Sequence, residues 1–495
     1  MNLAVAEYLR SAQELIEQEQ WQEARLNLQQ IIELEPHRWD VYFNLGVILS
    51  KQQHYEDAID KFKQAILIKP DYDWSYNNLG ELFLKLGRIR DAVQSFIQAI
   101  TINQNNPQFY YNLATALLKK GSTDQAVVCF RQAKELNSED HELQFKLGKA
   151  FRNQGLISEA IACFCRAIEL DHSYSFAYIS LKYTRLDTAQ CNLLIEFYQK
   201  ILLDHPHQAE ALANLSDLLA AQGNVADAIT FSRQAIQSKI IQSNPELAQT
   251  DNQLKQKAPD FIIIGAGKSG TTSLYKYLGQ HSQILLPNKK ELRFFDRNFD
   301  YGYQWYLSQF PAVSDRDDLC TGEASPSYFF LPHVAQRIYN FAPQTKIIVM
   351  LRNPIKRSIS DYYQNKKSGS NYPTLEESIN TEIATLEQKS EAELAYGGGI
   401  LSQSLYYYKL KRWLKIFPRN QFLIINSDRF FANLPDSMTE VFDFLKVSNT
   451  LSKSYTKYNV GSYPQPGEEP RKQLHNFFAV HNQKLEEYLQ MDLDW

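Results

Sequence analysis

The sequence predicts an all-α repeat solenoid followed by an α/β domain with a parallel sheet flanked by helices. Three observations carry this. The first half repeats every 34 residues; Phe261-Ile-Ile-Ile264 runs through a glycine-rich turn into an amphipathic helix; and Lys346-Ile-Ile-Val-Met-Leu351 is a second buried-strand run. With 44% hydrophobic, 22% charged and 13% aromatic residues, the 495-residue chain is not disordered, collagen-like or a coiled coil. Its five cysteines, Cys129, Cys163, Cys165, Cys191 and Cys320, are too scattered for a disulfide framework and fit a reducing, cytoplasmic setting. No apolar run approaches the roughly 20 residues of a membrane span. The start, Met1-Asn-Leu-Ala-Val-Ala-Glu7, has no basic segment of a secretory signal. The net charge of −4 divides unevenly: residues 1–250 hold 23 basic and 30 acidic side chains (−7), residues 251–495 hold 29 and 26 (+3). The second half is therefore the one expected to handle anions, and no nucleic-acid partner is expected.

In the first half the clearest copies start at Trp39, Asp73, Pro107 and His141. Position 8 is small in each (Gly46, Gly80, Ala114, Gly148), as are position 20 (Ala58, Ala92, Ala126, Ala160) and position 27 (Ala65, Ala99, Ala133, Ala167), while position 24 is Phe62, Phe96, Phe130 and Phe164. This pattern resembles the tetratricopeptide repeat (TPR), a pair of antiparallel helices whose small residues allow close helix approach. Weaker copies starting at Val5, Ser175 and Ala209 extend the array to about seven repeats over residues 5–242, with residues 243–258 as a linker or capping segment. The resemblance implies a concave face that holds a protein partner. Position 6 reads Asn44, Asn78, Asn112 and, later, Asn214, and this column has two readings: a ladder of amides gripping a peptide backbone, or polar residues tolerated on a solvated groove. Lys146 and Ser180 interrupt it. The Cys163-x-Cys165 pair reads as packing, since it has no partner Cys or His at ligand spacing.

In the second half, the turn Gly265-Ala-Gly-Lys-Ser-Gly-Thr-Thr272 between a buried strand and a helix is the geometry that aims backbone N–H groups at a phosphate. A nucleoside-triphosphate loop would need glycine five residues before Gly267, where this chain has Ile262. The segment Lys268-Ser-Gly-Thr-Thr272 instead resembles the 5′-phosphosulfate loop of sulfotransferases that use 3′-phosphoadenylyl sulfate (PAPS). The second strand followed by Arg352-Asn-Pro354 and Ser360 resembles the 3′-phosphate site of that family. Lys289-Lys-Glu-Leu-Arg-Phe-Phe-Asp296 resembles the catalytic stretch of the heparan-sulfate N- and 3-O-sulfotransferases, which implies Glu291 as the base. Over residues 259–495 the resemblance implies Lys268, Ser269, Gly270, Thr271, Thr272, Arg352 and Ser360 as cofactor ligands, Glu291 and Lys268 as catalytic groups, and no metal.

Three departures stand out. Thr321-Gly-Glu-Ala-Ser-Pro-Ser-Tyr328 has Ala324 where the family often has lysine, and Arg293 is the candidate to replace that cation as a substrate contact. The C-terminal cofactor loop keeps only Tyr463-Pro464 of the family pattern, with Lys457 as a substitute. His281, in a Gly279-Gln-His-Ser turn, is expected to serve the turn rather than catalysis. The cluster Lys356, Arg357, Lys366 and Lys367 reads as a solvated helix face or a polyanion patch. The acceptor is expected to be a hydroxyl or amine of a carbohydrate. Two alternatives remain open: a protein side chain such as tyrosine presented by the asparagine face, and a binding scaffold without activity.

Overall fold

The computed structural model describes residues 3–136, 139–243, 256–313, 319–366, 373–450, 455, 463, 464 and 466–495. Two compact units divide at Phe197 and Tyr198. Most of the 243–258 connector lies outside the described residues.

Fourteen helices, among the described residues, precede the first strand of the sheet in antiparallel pairs such as Asp73–Lys85 with Ile89–Ile102 and Pro107–Lys120 with Thr123–Leu136. The repeat columns explain the pairing. The alanines at positions 20 and 27 are fully buried, and Phe62, Phe96, Phe130 and Phe164 are at most 1% exposed. A methyl group placed on Gly46, Gly80 or Gly148 would lie 2.6–2.8 Å from the Phe ring of its own repeat, so the small residue at position 8 is what lets that ring enter.

The second unit contains the last helical pair, Ala209–Ala221 and Val225–Ser243, and the α/β domain. The pair is fastened to the domain by Ser232 Oγ, which donates to Ser308 O at 2.9 Å, and by a 3.0 Å ion pair between Lys289 and Asp217. The sheet comprises β1 (Phe261–Gly265), β2 (Ile284–Leu285), β3 (Cys320–Ala324), β4 (Lys346–Leu351) and β5 (Phe422–Asn426) in the order β2-β3-β1-β4-β5, every pairing parallel. β1 and β3 are buried at every position, as expected of parallel strands covered on both faces. One apolar layer contains Phe261, Ile263, Leu274, Ile348 and Met350. After β1 the chain builds β3 on one side and β4 on the other. The carboxyl ends of these three strands thus meet at the topological switch point where open α/β sheets place their ligands.

Candidate functional site

Beyond β1 the backbone turns tightly: Ala266 N donates to Met350 O at 2.8 Å and Ser269 N to Ala266 O at 3.2 Å. Helix Thr271–Leu278 starts at once, with Gly270 as its cap in the left-handed region at φ +95. Lys268 is also left-handed, at φ +71, and half-buried. Burial lowers its pKa from the usual lysine range; the charges of Asp361, Tyr463 and Glu291 oppose this, and Arg357 adds to it. A side chain on Gly267 would meet nothing within 4 Å, so this face of the turn is open to an approaching group. Ser269 and Thr271 are buried and Thr272 is partly exposed.

Arg352 follows the end of β4. Its Nη1 donates to Lys268 O at 3.1 Å, and its own carbonyl accepts from the Tyr406 hydroxyl at 3.0 Å. Asn353 Oδ1 then accepts from the N–H groups of Ile355 and Lys356, capping helix Pro354–Lys366. Ser360 is buried on this helix. The basic cluster does not form one solvated face. Lys356 and Lys366 are exposed, but Arg357 is fully buried and bonds to Asp361, Gln403, Ser404 and Ile400 O, so it is a structural pin; Lys367 lies outside the described residues.

Glu291 is exposed and left-handed at φ +64; its N–H donates to Ala324 O at 2.9 Å and its carboxylate pairs with Lys290 at 2.7 Å. Ala324, which the Glu291 N–H reaches, pairs with Ile263 of β1, so this segment lies beside the strand that leads into the Lys268 turn. Arg293, at φ +53, directs Nε to Asp296 at 3.0 Å. Asp296 also accepts from Ser327 Oγ at 2.9 Å. Ala324 sits in the apolar layer. Tyr463 stacks, with ring centroids 5.4 Å apart, on Tyr363 of helix Pro354–Lys366, the helix that carries Ser360; Lys457 lies outside the described residues.

His281 Nδ1 accepts from Gln283 N at 3.1 Å and Nε2 faces Ser448 O at 2.8 Å, which gives it a role in the turn. In the helical array, Asn44 and Asn78 are partly exposed. Asn112 is buried, its amide donating to Asn77 at 2.8 Å and Glu81 at 3.0 Å, and Asn214 donates to the Tyr198 hydroxyl at 3.0 Å. The Cys163 thiol is buried and its pKa pushed up to about 11. Among the described residues no group of three or more His, Cys, Asp or Glu is placed to hold a metal ion. Among them, too, no helix is long and apolar enough to cross a membrane.

Sequence reasoning missed Glu323. It is fully buried next to Ala324 and accepts from Ser325 Oγ at 2.7 Å, Tyr306 OH at 2.9 Å and Tyr328 OH at 3.1 Å. Burial raises its carboxyl to about 7 against the pull of those hydroxyls, with Asp296 adding a smaller push upward. The available signal was an acidic residue inside a short run of small uncharged residues, Cys320-Thr-Gly before it and Ala324-Ser after it.

Residues 258–463 match the family described as the sulfotransferase domain, and residues 48–87, 82–121, 111–175 and 196–244 match tetratricopeptide repeat families. The membrane-associated sulfotransferase kil1 of Dictyostelium discoideum is 26% identical over 313 residues, covering 48% of this chain and 66% of that protein. Heparan sulfate glucosamine 3-O-sulfotransferase 6 of Mus musculus is 29% identical over 205 residues, covering 41% and 57%. This chain therefore spans less than two thirds of either curated relative. A crystal structure of a sulfotransferase from Alicyclobacillus acidocaldarius is 31% identical, covers 48% of this chain and 98% of that one, and has a TM-score of 0.41. The chain thus contains a sulfotransferase domain over residues 258–463, preceded by tetratricopeptide repeats.

Proposed function

We propose that the C-terminal domain moves a sulfuryl group from PAPS to a hydroxyl or amine of a carbohydrate acceptor, while the repeat array holds a protein partner. The observation that carries this reading is the contact between Arg352 and the Lys268 carbonyl, in a site that also feels Glu291. Two cations from separate strands and an open turn ahead of a helix N-terminus suit a nucleotide with phosphate at both its 3′ and 5′ positions.

In this mechanism the turn Lys268–Thr272 holds the 5′-phosphosulfate, and Arg352 and Ser360 hold the 3′-phosphate. Glu291 takes the acceptor's proton as the acceptor oxygen or nitrogen attacks sulfur. The bond from sulfur to the bridging oxygen breaks, 3′,5′-bisphosphate leaves, and Lys268 meets the charge growing on that oxygen. A placed base contributes about 10²–10⁴ in rate. Lys290 holds Glu291 in the free chain, and the acceptor takes its place in this scheme. Arg293 contributes through its acceptor-side position, its charge shared with Asp296.

Residues 5–242 serve as the recruiting array, 243–258 as the connector and 259–495 as the transferase. Five free thiols favour a reducing, cytoplasmic setting. The test is incubation with labelled PAPS and a cell lysate, followed by glycosidase or protease digestion. Label released by glycosidase supports the carbohydrate reading; label released only by protease favours a tyrosyl-type protein acceptor; no transfer to any acceptor favours a scaffold.

A further inference from the structure

We propose that Glu323 is a positioning residue for Glu291. Its buried carboxylate fixes the hydroxyls of Ser325 and Tyr328 so that they accept the Arg293 and Phe295 amides and hold the turn that presents the base.

The turn needs such a hold. Glu291 and Arg293 are both left-handed, at φ +64 and +53, a conformation that crowds the Cβ of a residue with a side chain against its own backbone. Three acceptors grip it, all within five residues after Glu323: Ala324 O takes Glu291 N at 2.9 Å, Ser325 Oγ takes Arg293 N at 3.2 Å, and Tyr328 OH takes Phe295 N at 3.3 Å. A hydroxyl has one proton. Ser325 and Tyr328 each direct theirs to Glu323, at 2.7 and 3.1 Å, which leaves their lone pairs for the amides. Tyr306 donates to the same carboxylate at 2.9 Å.

The ionised carboxylate matches three donors. A protonated one must itself donate, so one hydroxyl either reverses or loses its acceptor, and the grip on the turn loosens. The titratable groups around Glu323 are Tyr306 and Tyr328, Tyr275 across the layer, and Asp296, whose charge opposes ionisation and is paired with Arg293. Burial sets the exchange between the two forms at about pH 7.

This inference rests on reading Glu291 as the base, so its test has two arms. In the full chain, amide hydrogen exchange at Arg293 and Phe295, corrected for intrinsic rates, is compared at pH 5.5 and 8. Wild-type protection is expected to rise roughly tenfold at the higher pH, about the contribution of one hydrogen bond, while Glu323→Gln stays at the low-pH value. Ser325→Ala should release the Arg293 amide and Tyr328→Phe the Phe295 amide, and these variants keep the test decisive if Glu323→Gln folds poorly. Equal protection in wild type and Glu323→Gln at pH 8, or no selective release in the two milder variants, overturns the proposal. The second arm follows bisphosphate release from PAPS with a heparan-type polysaccharide. Glu323→Gln is expected to lower kcat and flatten its dependence near pH 7 while 3′,5′-bisphosphate binding is unchanged. If Glu291→Gln keeps full turnover, the base assignment fails on its own account. If that variant is inactive but Glu323→Gln keeps the wild-type pH profile and protection, the positioning role alone falls.

Discussion

Arg352 Nη1 donates to the carbonyl oxygen of Lys268 at 3.1 Å, tying the end of β4 to the turn after β1. One side chain therefore supports the turn's shape and supplies a cation beside it. Arg352→Ala is expected to weaken 3′,5′-bisphosphate binding by roughly 10-fold or more, the scale of a lost charged hydrogen bond. Arg352→Lys should restore little of it, because an ammonium lacks the planar fork that can serve a carbonyl and a phosphate together. Titration calorimetry checks both; wild-type affinity in the alanine variant would remove Arg352 from the nucleotide site.

Gly270 carries the start of helix Thr271–Leu278 at φ +95, and a methyl group there would come within 2.6 Å of the Phe431 ring. Backbone strain and overlap act together, so Gly270→Ala should destabilise the second unit by about 1–3 kcal/mol and weaken nucleotide binding. Thermal unfolding with and without 3′,5′-bisphosphate measures this, and an unchanged midpoint would contradict the strain argument.

The Glu323 carboxyl also makes stability depend on pH. Its folded pKa, about 7, stands above the ordinary value of 4.5. The folded chain thus keeps a proton that the unfolded chain releases. That contribution is full below the unfolded value and is lost as pH rises through the folded one, a change on the order of 3 kcal/mol. Glu323→Gln removes it. Relative to wild type, the variant should become more stable between pH 5 and pH 8 in urea unfolding; a constant difference would mean that the group does not titrate in this window.

In the repeat array, Gly80 faces Phe96, with 2.7 Å available to an added methyl group. Gly80→Leu should displace that ring and destabilise the first unit by roughly 1–3 kcal/mol. Chemical unfolding of the variant reads this directly.

These pairs also show which features the sequence made legible. The contact of Gly80 with Phe96 recurs with the repeat, so its two members stand out in the sequence as the columns at positions 8 and 24. The strands beginning at Phe261 and Lys346 were equally plain, because a strand covered on both faces leaves an unbroken apolar run. Glu323 had no such run to mark it, since its strand reads Cys-Thr-Gly-Glu-Ala, and its role comes from Tyr306 and Tyr328, which the fold gathers around it and which have no spacing of their own. Arg357 lies between a lysine and a serine in a polar run, and only its contacts with Ile400 O and Ser404, more than 40 residues away, show that it is buried. Asn112 shares the column of Asn44 and Asn78, yet its amide is engaged by Asn77 and Glu81 of the preceding repeat, a contact across repeats that one column does not reveal.

The most direct measurement is the transfer of labelled sulfate from PAPS to a heparan-type polysaccharide by wild type, Lys268→Ala and Glu291→Gln, with 3′,5′-bisphosphate binding measured in parallel. The proposed chemistry predicts transfer by wild type, a loss of about 10²–10⁴ in rate for Glu291→Gln with nucleotide binding retained, and weakened binding and turnover for Lys268→Ala. Unchanged turnover in both variants would contradict it.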